Sequence, residues 1–286
     1  MKFTKMHGIG NDYIYVSTFS ERVDDPPALA RVMSDRHTGV GSDGLILIAP
    51  SQAADVRMEM YNADGSRGRM CGNGIRCVAK YSYEHGLAVK EKMRVETDSG
   101  VLNLTLHCRA GRVESVRVNM GRPRLHPSEI PTTLKGERIV DHPIEIGGRP
   151  YKVTCVSMGN PHAVVFVDPL AQVDLPQVGP LFESAGCFPQ RVNAHFVQVC
   201  DPSRVIMKTW ERGSGATLAC GTGASAVCVA GALTGRTERH ITARLPGGEL
   251  QLAWAEDDHV YMTGPAIEVF SGDWPDGDRT SEPPAS

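Results

Sequence analysis

Cys71 and Cys220 sit in near-copies of one motif, Met70-Cys71-Gly72-Asn73-Gly74 and Ala219-Cys220-Gly221-Thr222-Gly223. They lie 149 positions apart (220 minus 71) in a chain of 286 residues, so the spacing is half the protein. Their neighbours share the offset: Asn62 and Glu211 each precede their cysteine by nine positions (71 minus 62, 220 minus 211), and Gly10-Asn11 recurs as Gly159-Asn160. A duplicated half-chain with one thiol per copy accounts for all of these. Two such halves closing face to face put a thiol on each side of one cleft, the arrangement needed to take a proton from one face of a carbon and return one to the other. The residues alone therefore point to a racemase or epimerase.

Cysteine is among the most buried residue types, so Cys108, Cys155, Cys187 and Cys200 read as packing, as do Cys77 and Cys228 inside expected helices. Cys71 and Cys220 differ because each precedes a Gly-x-Gly turn and a helix. At a helix N-terminus the partial positive charge is expected to lower a thiol pKa and to bind carboxylate or phosphate oxygens. Removing an α-proton leaves a carbanion, which oriented N–H donors at two helix N-termini would stabilise as an enolate-like dianion. Inversion requires one cysteine as thiolate and the other as thiol, and the two titrate as a coupled pair. Glu211-Arg212 has two open readings. It is either a solvated surface pair or, at a cleft, a bidentate carboxylate clamp beside a partner for an ammonium group. His162 is either a satisfied structural histidine or a group that tunes the thiols.

Other chemistries find less support. Gly39-Val40-Gly41-Ser42-Asp43-Gly44 has the glycine spacing of a dinucleotide site, but a helix precedes it and a strand follows, the reverse of the required context. No metal site is expected, since the ten histidines are dispersed and neither Cys-x-x-Cys nor His-Glu-x-x-His occurs. No cofactor is expected. A net charge of −3 with 22% charged and 41% hydrophobic residues is ordinary for a soluble globular protein and gives no sign of a nucleic-acid or membrane partner. The N-terminus has no apolar signal region and no long apolar run follows, so the expected location is cytoplasmic, where the eight cysteines stay reduced.

These side chains need elements to hold them. Strands are expected at Lys2 to Met6, Tyr13 to Val16, Leu45 to Ala49, Val56 to Tyr61, Met93 to Thr97, Val101 to Leu106 and Val113 to Asn119, with helices at Pro27 to Ser34 and Gly74 to Tyr83. The second half repeats the order with strands near Tyr151 to Ser157, Ala163 to Val167, Phe196 to Val199 and Val205 to Thr209. A helix from about Gly223 to Leu233 follows, then strands to Val269. The second helix is small and apolar on all sides, as suits a helix wrapped by a sheet. The fold class expected is α/β (α+β): two pseudo-symmetric domains, each a curved, mostly antiparallel sheet around a central helix, with the cleft between them. The halves are expected at 1–120, completed by a strand near 266–275, and at 121–265, joined by the crossover Pro123 to Pro131. The tail 276–286 is expected to be disordered.

Taken together, Gly8-Ile9-Gly10-Asn11-Asp12-Tyr13, Asn62-Ala63-Asp64-Gly65-Ser66, Met70 to Cys77, Gly159-Asn160-Pro161-His162, Glu211-Arg212-Gly213 and Ala219 to Gly223 resemble the diaminopimelate epimerase family over nearly the whole chain. The resemblance implies a pyridoxal-independent enzyme interconverting LL- and meso-diaminopimelate, a precursor of lysine and peptidoglycan, on two similar α/β domains. It implies that Cys71 and Cys220 are the acid/base thiols and that N–H groups at Gly72, Asn73, Gly221 and Thr222 hold the reacting carboxylate. Asn11, Asn62, Asn160, Asn193, Glu211 and Arg212 would bind the remaining polar groups, and His162 and Glu211 would assist the reaction. Gly44 stands where some members carry a substrate-contacting Gln. The resemblance also implies a homodimer. Proline or hydroxyproline racemase is the nearest rival, although it typically has Gly-His-Gly after the first cysteine, where this chain has Asn73. A thiol-disulfide or peroxide-reducing protein explains neither the paired glycine turns nor the asparagines. A nonenzymatic binding protein on the same duplicated fold has no use for two activated thiols.

Overall fold

The offset of 149 reappears in strand register. In the first half, β1 (Lys2–Gly8), β2 (Asn11–Ser17), α1 (Pro26–Ser34), β3 (Gly44–Ala49), β4 (Val56–Asn62) and β5 (Arg67–Gly68) lead to α2 (Gly72–Glu84). The hairpin series β6 (Lys92–Thr97), β7 (Gly100–Arg109) and β8 (Arg112–Asn119) follows. The second half runs β9 (His142–Ile146), β10 (Arg149–Ser157), β11 (Pro161–Phe166), α3 (Leu175–Glu183), β12 (Asn193–Asp201), β13 (Arg204–Glu211), β14 (Gly215–Thr217) and α4 (Gly221–Leu233). It closes with β15 (His240–Leu245), β16 (Gly248–Trp254), β17 (Val260–Gly264) and β18 (Ile267–Asp273). Ile14 opposes Leu45 in the parallel pair β2–β3, and Ala163 opposes Ala194 in β11–β12, each residue displaced by 149. Leu45 opposes Tyr61 as Ala194 opposes Trp210, and Met60 opposes Gly68 as Thr209 opposes Thr217. The remaining pairings are antiparallel apart from β4–β6 and β13–β15, which are again repeat-related. The computed structural model of the chain describes residues 1–275, so the expected tail at 276–286 lies outside the described residues.

Each half wraps its sheet around one helix. α2 packs against β1 to β4 and β6 to β8, and every residue from Gly72 to Lys80 is buried. α4 packs against β10 to β12 and β15 to β17, with Gly223 to Gly231 all buried. A helix enclosed on all sides must be apolar or small around its circumference, and Ala224-Ser225-Ala226-Val227-Cys228-Val229-Ala230 meets that requirement. Each fully buried Val or Ile contributes about 1.5–3 kcal/mol, and one buried cluster runs through both halves, taking in Ile46, Val78 and Val95 with Val197, Met207 and Val227. The halves are further tied by antiparallel pairing of β8 with β17 and of β1 with β18.

The other helix of each half, α1 or α3, lies outside its sheet. α1 covers Ile14, Leu45 and Leu47 with Ala30 and Met33, and α3 covers Phe196 and Val165 with Leu175 and Phe182. Their starts are repeat-related: Asp25 accepts from Ala28 N at 3.0 Å and Asp174 from Gln177 N at 3.3 Å, each an N-cap followed by Pro in the first turn. α3 was not expected from the sequence, because Gly179 and Pro180 interrupt it. α2 and α4 also begin two residues earlier than expected. Gly72-Asn73 and Gly221-Thr222 read as turn residues but form the first helical turn.

Gly223 shows how tightly α4 is seated. A Cβ there would lie 2.2 Å from His195 Cε1, and that ring is fixed by His162 and Thr209. In an exposed helix Gly→Ala stabilises by about 1 kcal/mol. Here the overlap reverses the sign, so Gly223→Ala is expected to destabilise by about 1–3 kcal/mol, read as a lower thermal unfolding midpoint. An unchanged or higher midpoint would show that α4 is not held against β12 in this way.

Candidate active site

α2 and α4 meet N-terminus to N-terminus. A Cβ on Gly72 would lie 3.9 Å from Gly221 Cα and 3.2 Å from Met262 Cε, and one on Gly221 would lie 2.9 Å from Met262 Sδ. The Met262 side chain packs against both glycines at this junction. Cys71 and Cys220 are the N-cap residues, with nearly identical backbones at φ −132°, ψ 117° and φ −130°, ψ 100°. The first N–H groups of a helix have no intrahelical partner, so Gly72, Asn73, Gly221 and Thr222 present donors where the two positive helix ends converge. Cys71 Sγ accepts from Gly74 N at 3.3 Å, while Cys220 Sγ lies 3.7 Å from Thr222 Oγ1.

The pKa expectation for these thiols is corrected by the structure. Burial pushes the Cys71 thiol up, against the N–H groups of Gly74 and Asn73, which favour the thiolate. Burial pushes Cys220 well above the ordinary thiol value, with the Glu211 carboxylate adding to the rise against the Thr222 hydroxyl and Gly223 N–H. The helix N-termini act in the expected direction, but desolvation outweighs them. Glu211 is itself raised by burial, and its Oε1 accepts from Thr217 Oγ1 at 2.6 Å.

Two repeat-related asparagines flank the thiols. Asn11 Oδ1 accepts from Cys71 Sγ at 3.2 Å and from Asn73 Nδ2 at 3.4 Å, and Asn73 Nδ2 also donates to Ala219 O at 3.3 Å in the other half. The orientation of Asn11 is set from behind, since its Nδ2 donates to Asp43 Oδ2 at 2.7 Å. Asp43 also accepts from Asp12 N at 3.2 Å and from Arg36 at 3.0 Å. In the second half Asn160 Nδ2 donates to Thr222 Oγ1 at 3.3 Å, and its Oδ1 lies 2.9 Å from His162 Nε2.

An amide oxygen only accepts, so His162 Nε2 carries the proton and His162 Nδ1 accepts from His195 Nε2 at 2.9 Å. His195 Nδ1 then accepts from Thr209 Oγ1 at 3.0 Å. Both rings are buried and neutral: burial takes His162 well below its ordinary value and His195 down to about 3. His162 is thus a neutral donor that holds Asn160.

The structure brings Cys71, Cys220, Gly72, Asn73, Gly221, Thr222, Asn11, Asn160, His162 and Glu211 into one connected site. Asn193, Asn62 and Arg212 are engaged locally at strand ends. Asn193 Oδ1 accepts from Arg212 N at 2.9 Å and its Nδ2 donates to Pro161 O at 2.9 Å. Asn62 Nδ2 donates to Ser66 Oγ at 2.9 Å, and Arg212 Nη1 donates to Gln190 O at 3.1 Å. Gly44 opposes Asn62 across β3 and β4, and a Cβ there would lie 2.1 Å from Tyr61 O, so this backbone has no room for a Gln. Asp43 and His195 belong to the site but escaped sequence reading. Asp43 lay within the glycine-rich stretch weighed only as a nucleotide loop, and His195 had no partner until β11 and β12 paired.

A family model described as diaminopimelate epimerase matches residues 3–126 and 154–269. The diaminopimelate epimerase of Desulfovibrio desulfuricans is 52% identical over 281 residues, covering 96% of this chain and 98% of its own. That of Pelotomaculum thermopropionicum is 53% identical over 277 residues, covering 96% and 99%, and that of Methanococcus maripaludis is 47% identical over 274 residues with the same coverage. Among solved structures, a probable proline racemase from Agrobacterium radiobacter superposes with a TM-score of 0.72 at 17% identity, covering 96% of this chain and 92% of that one. A hydroxyproline epimerase from Agrobacterium vitis gives 0.64 at 17% identity, covering 95% and 90%. At that identity the likeness is one of fold, a doubled sheet-and-helix architecture. The near-complete match at half identity, on a chain whose two repeat-related thiols cap two abutting helices, settles the relationship: the chain belongs to the diaminopimelate epimerase family.

Proposed function

We propose that this protein interconverts LL- and meso-diaminopimelate, independently of pyridoxal phosphate, on the route to lysine and peptidoglycan precursors. The observation that carries the reading is the pair of thiols with matching backbones at two helix N-termini that face each other. The substrate's reacting carboxylate sits on the N–H groups of Gly72, Asn73, Gly221 and Thr222. One cysteine, as thiolate, takes the α-hydrogen as a proton. The C–H electron pair moves into the carboxylate as an enolate-like dianion, held by donors that need no reorganisation. The other cysteine, as thiol, gives its proton to the opposite face. One proton leaves, one returns, and nothing is oxidised or reduced. The enzyme is left with its thiol and thiolate exchanged.

Asn11 and Asn160 line the two sides, oriented by Asp43 and by His162. Glu211, half-buried beside both thiols, biases their protonation. Asn62, Asn193 and Arg212 bind the distal amino-acid end, with Arg212 free to turn its exposed guanidinium from Gln190 to a carboxylate. All eight cysteines are free, and the chemistry needs Cys71 and Cys220 so, which suits a reducing compartment such as the cytoplasm. Among the described residues no helix is long and apolar enough to cross a membrane. We assign a homodimer to the same enzyme. β18 exposes Ile267, Val269 and Phe270 along one strand, at 44%, 54% and 47% of their surface, an apolar stripe suited to a second copy.

In deuterated water with reduced enzyme and LL-diaminopimelate, meso product is expected to carry solvent deuterium at one α-carbon. Exchange into proline but not into diaminopimelate would replace this reading with a proline racemase. For the assembly, sedimentation of the full chain is expected to give a dimer that Phe270→Glu shifts toward monomer. A monomeric wild-type protein at micromolar concentration would remove the dimer proposal.

A further inference from the structure

The turn that delivers Asn11 is built against its own backbone preference. Ile9 and Gly10 form the two-residue connection between β1 and β2, closed by the pairing of Gly8 with Asn11, and both have positive φ, 49° and 87°. Two central residues at positive φ suit Asn-Gly or Gly-Gly. A β-branched residue there is strained and persists only where its surroundings hold it. Ile9 is 3% exposed, so burial of its side chain offsets the strain.

What buries it belongs to the other half. The β15–β16 hairpin comes so close that a Cβ on Gly247 would lie 1.9 Å from Ile9 O, and one on Gly248 would lie 2.9 Å from Ile9 Cγ2. Gly247 N donates to Leu218 O at 2.9 Å, and a Cβ on Gly10 would lie 3.1 Å from Leu218 Cδ1. Leu218 stands two residues before Cys220, and Asn11, two residues after Ile9, meets Cys71 at 3.2 Å. One interlock between the halves therefore touches the segments that lead to both thiols.

The repeat-related place lacks this interlock. The equivalents of Ile9-Gly10 are Met158-Gly159 (9 plus 149, 10 plus 149), and those of Gly247-Gly248 are Asp98-Ser99 (247 minus 149, 248 minus 149). Gly159 and Ser99 are exposed, and among the described residues a Cβ on Gly159 would meet nothing within 4 Å. Asp98 turns back to Arg57 and Arg67 of its own half, at 3.2 and 2.5 Å. The halves are thus fastened at one of two equivalent places.

We infer that Ile9 is a positioning residue: its strained turn, seated on Gly247 and Gly248, holds Asn11 against Cys71 and keeps the halves closed over Cys220. The strain makes the seat conditional on closure. When the second half withdraws, the burial that offsets a left-handed isoleucine is lost, the turn relaxes, and Asn11 moves with it. Ile9 acts through Asn11, with no contact to substrate required.

The consequence for turnover rests on the epimerase reading, but the interlock is read without diaminopimelate. Gly247 lies outside the positive-φ region, so its own backbone accepts alanine, and the severe collision is with Ile9 O across the junction. The full-length native protein, Gly247→Ala and Ile9→Gly are treated with iodoacetamide at one pH, and peptide mass spectrometry reads the modification rate at each cysteine. Cys220 is 3% exposed, and both variants are expected to raise its rate about tenfold. Cys77 and Cys228, each 0% exposed inside α2 and α4, are expected to keep their native rates. Ile9→Val retains the Cγ2 branch that faces Gly248 and is expected to keep Cys220 protected. With diaminopimelate, turnover of Gly247→Ala is expected to fall by about 10–10²-fold. Folded variants with a native rate at Cys220 would overturn the inference, as would equal acceleration at Cys77, Cys220 and Cys228, which marks a loosened fold. If Gly247→Ala does not fold, Ile9→Gly decides by the same comparison. Selective acceleration at Cys220 in a protein that does not epimerise diaminopimelate keeps the interlock and removes the substrate. Epimerisation by a native protein whose variants keep a native Cys220 rate keeps the substrate and removes the interlock.

Discussion

Two helix N-termini held against each other are the constraint from which the rest of the structure follows. Each end carries the equivalent of roughly half a positive charge, and like ends brought together in a buried place repel unless something holds them or an anion joins them. Sheet packing supplies the first remedy. α2 and α4 are each enclosed by strands of their own half, and the halves share one buried apolar cluster. Gly72 and Gly221 meet at the junction, with the Met262 side chain packed on both. The second remedy is chemical: a carboxylate placed at the junction is stabilised by both ends at once. A substrate that becomes more anionic as its proton leaves gains more from that junction than one that does not, which is the condition for lowering a barrier rather than merely binding.

Burial makes the same junction work as a base. The dry site raises both thiols, so a thiolate formed there is a strong proton acceptor, and donors at Gly74, Asn73, Thr222 and Gly223 keep it attainable. The two needs conflict, since each donor that stabilises the thiolate also weakens it as a base. The two copies differ at this point, with Glu211 in the second half where the first has the neutral Asn62. A duplicated fold supplies two equal sites, and departures from the duplication make them do different things.

Much of this was legible in the sequence because it was written twice. The paired cysteine motifs, the asparagines at 11 and 160 and the small apolar second helix locate the thiols, the flanking amides and the wrapped architecture. Three things were not legible, each for a physical reason. α3 carries Gly179 and Pro180, which weaken a helical pattern that Asp174 and burial against β12 and β13 nonetheless sustain. The direction of the thiol shifts depends on how completely the site is dried, and local motif chemistry reports only the helix ends. Asp43 and His195 act through partners 32 and 33 positions away, Asn11 and His162, so their contacts exist only once the strands have paired.

The central claim is that one thiol serves each face of the reacting carbon and that neither suffices alone. It is tested most directly by comparing steady-state turnover of Cys71→Ala and Cys220→Ala with the native enzyme, each variant first matched to it in thermal unfolding. The account predicts that both variants lose turnover by at least about 10²–10⁴-fold, in whichever direction the reaction is run. Near-native turnover in either variant would contradict it.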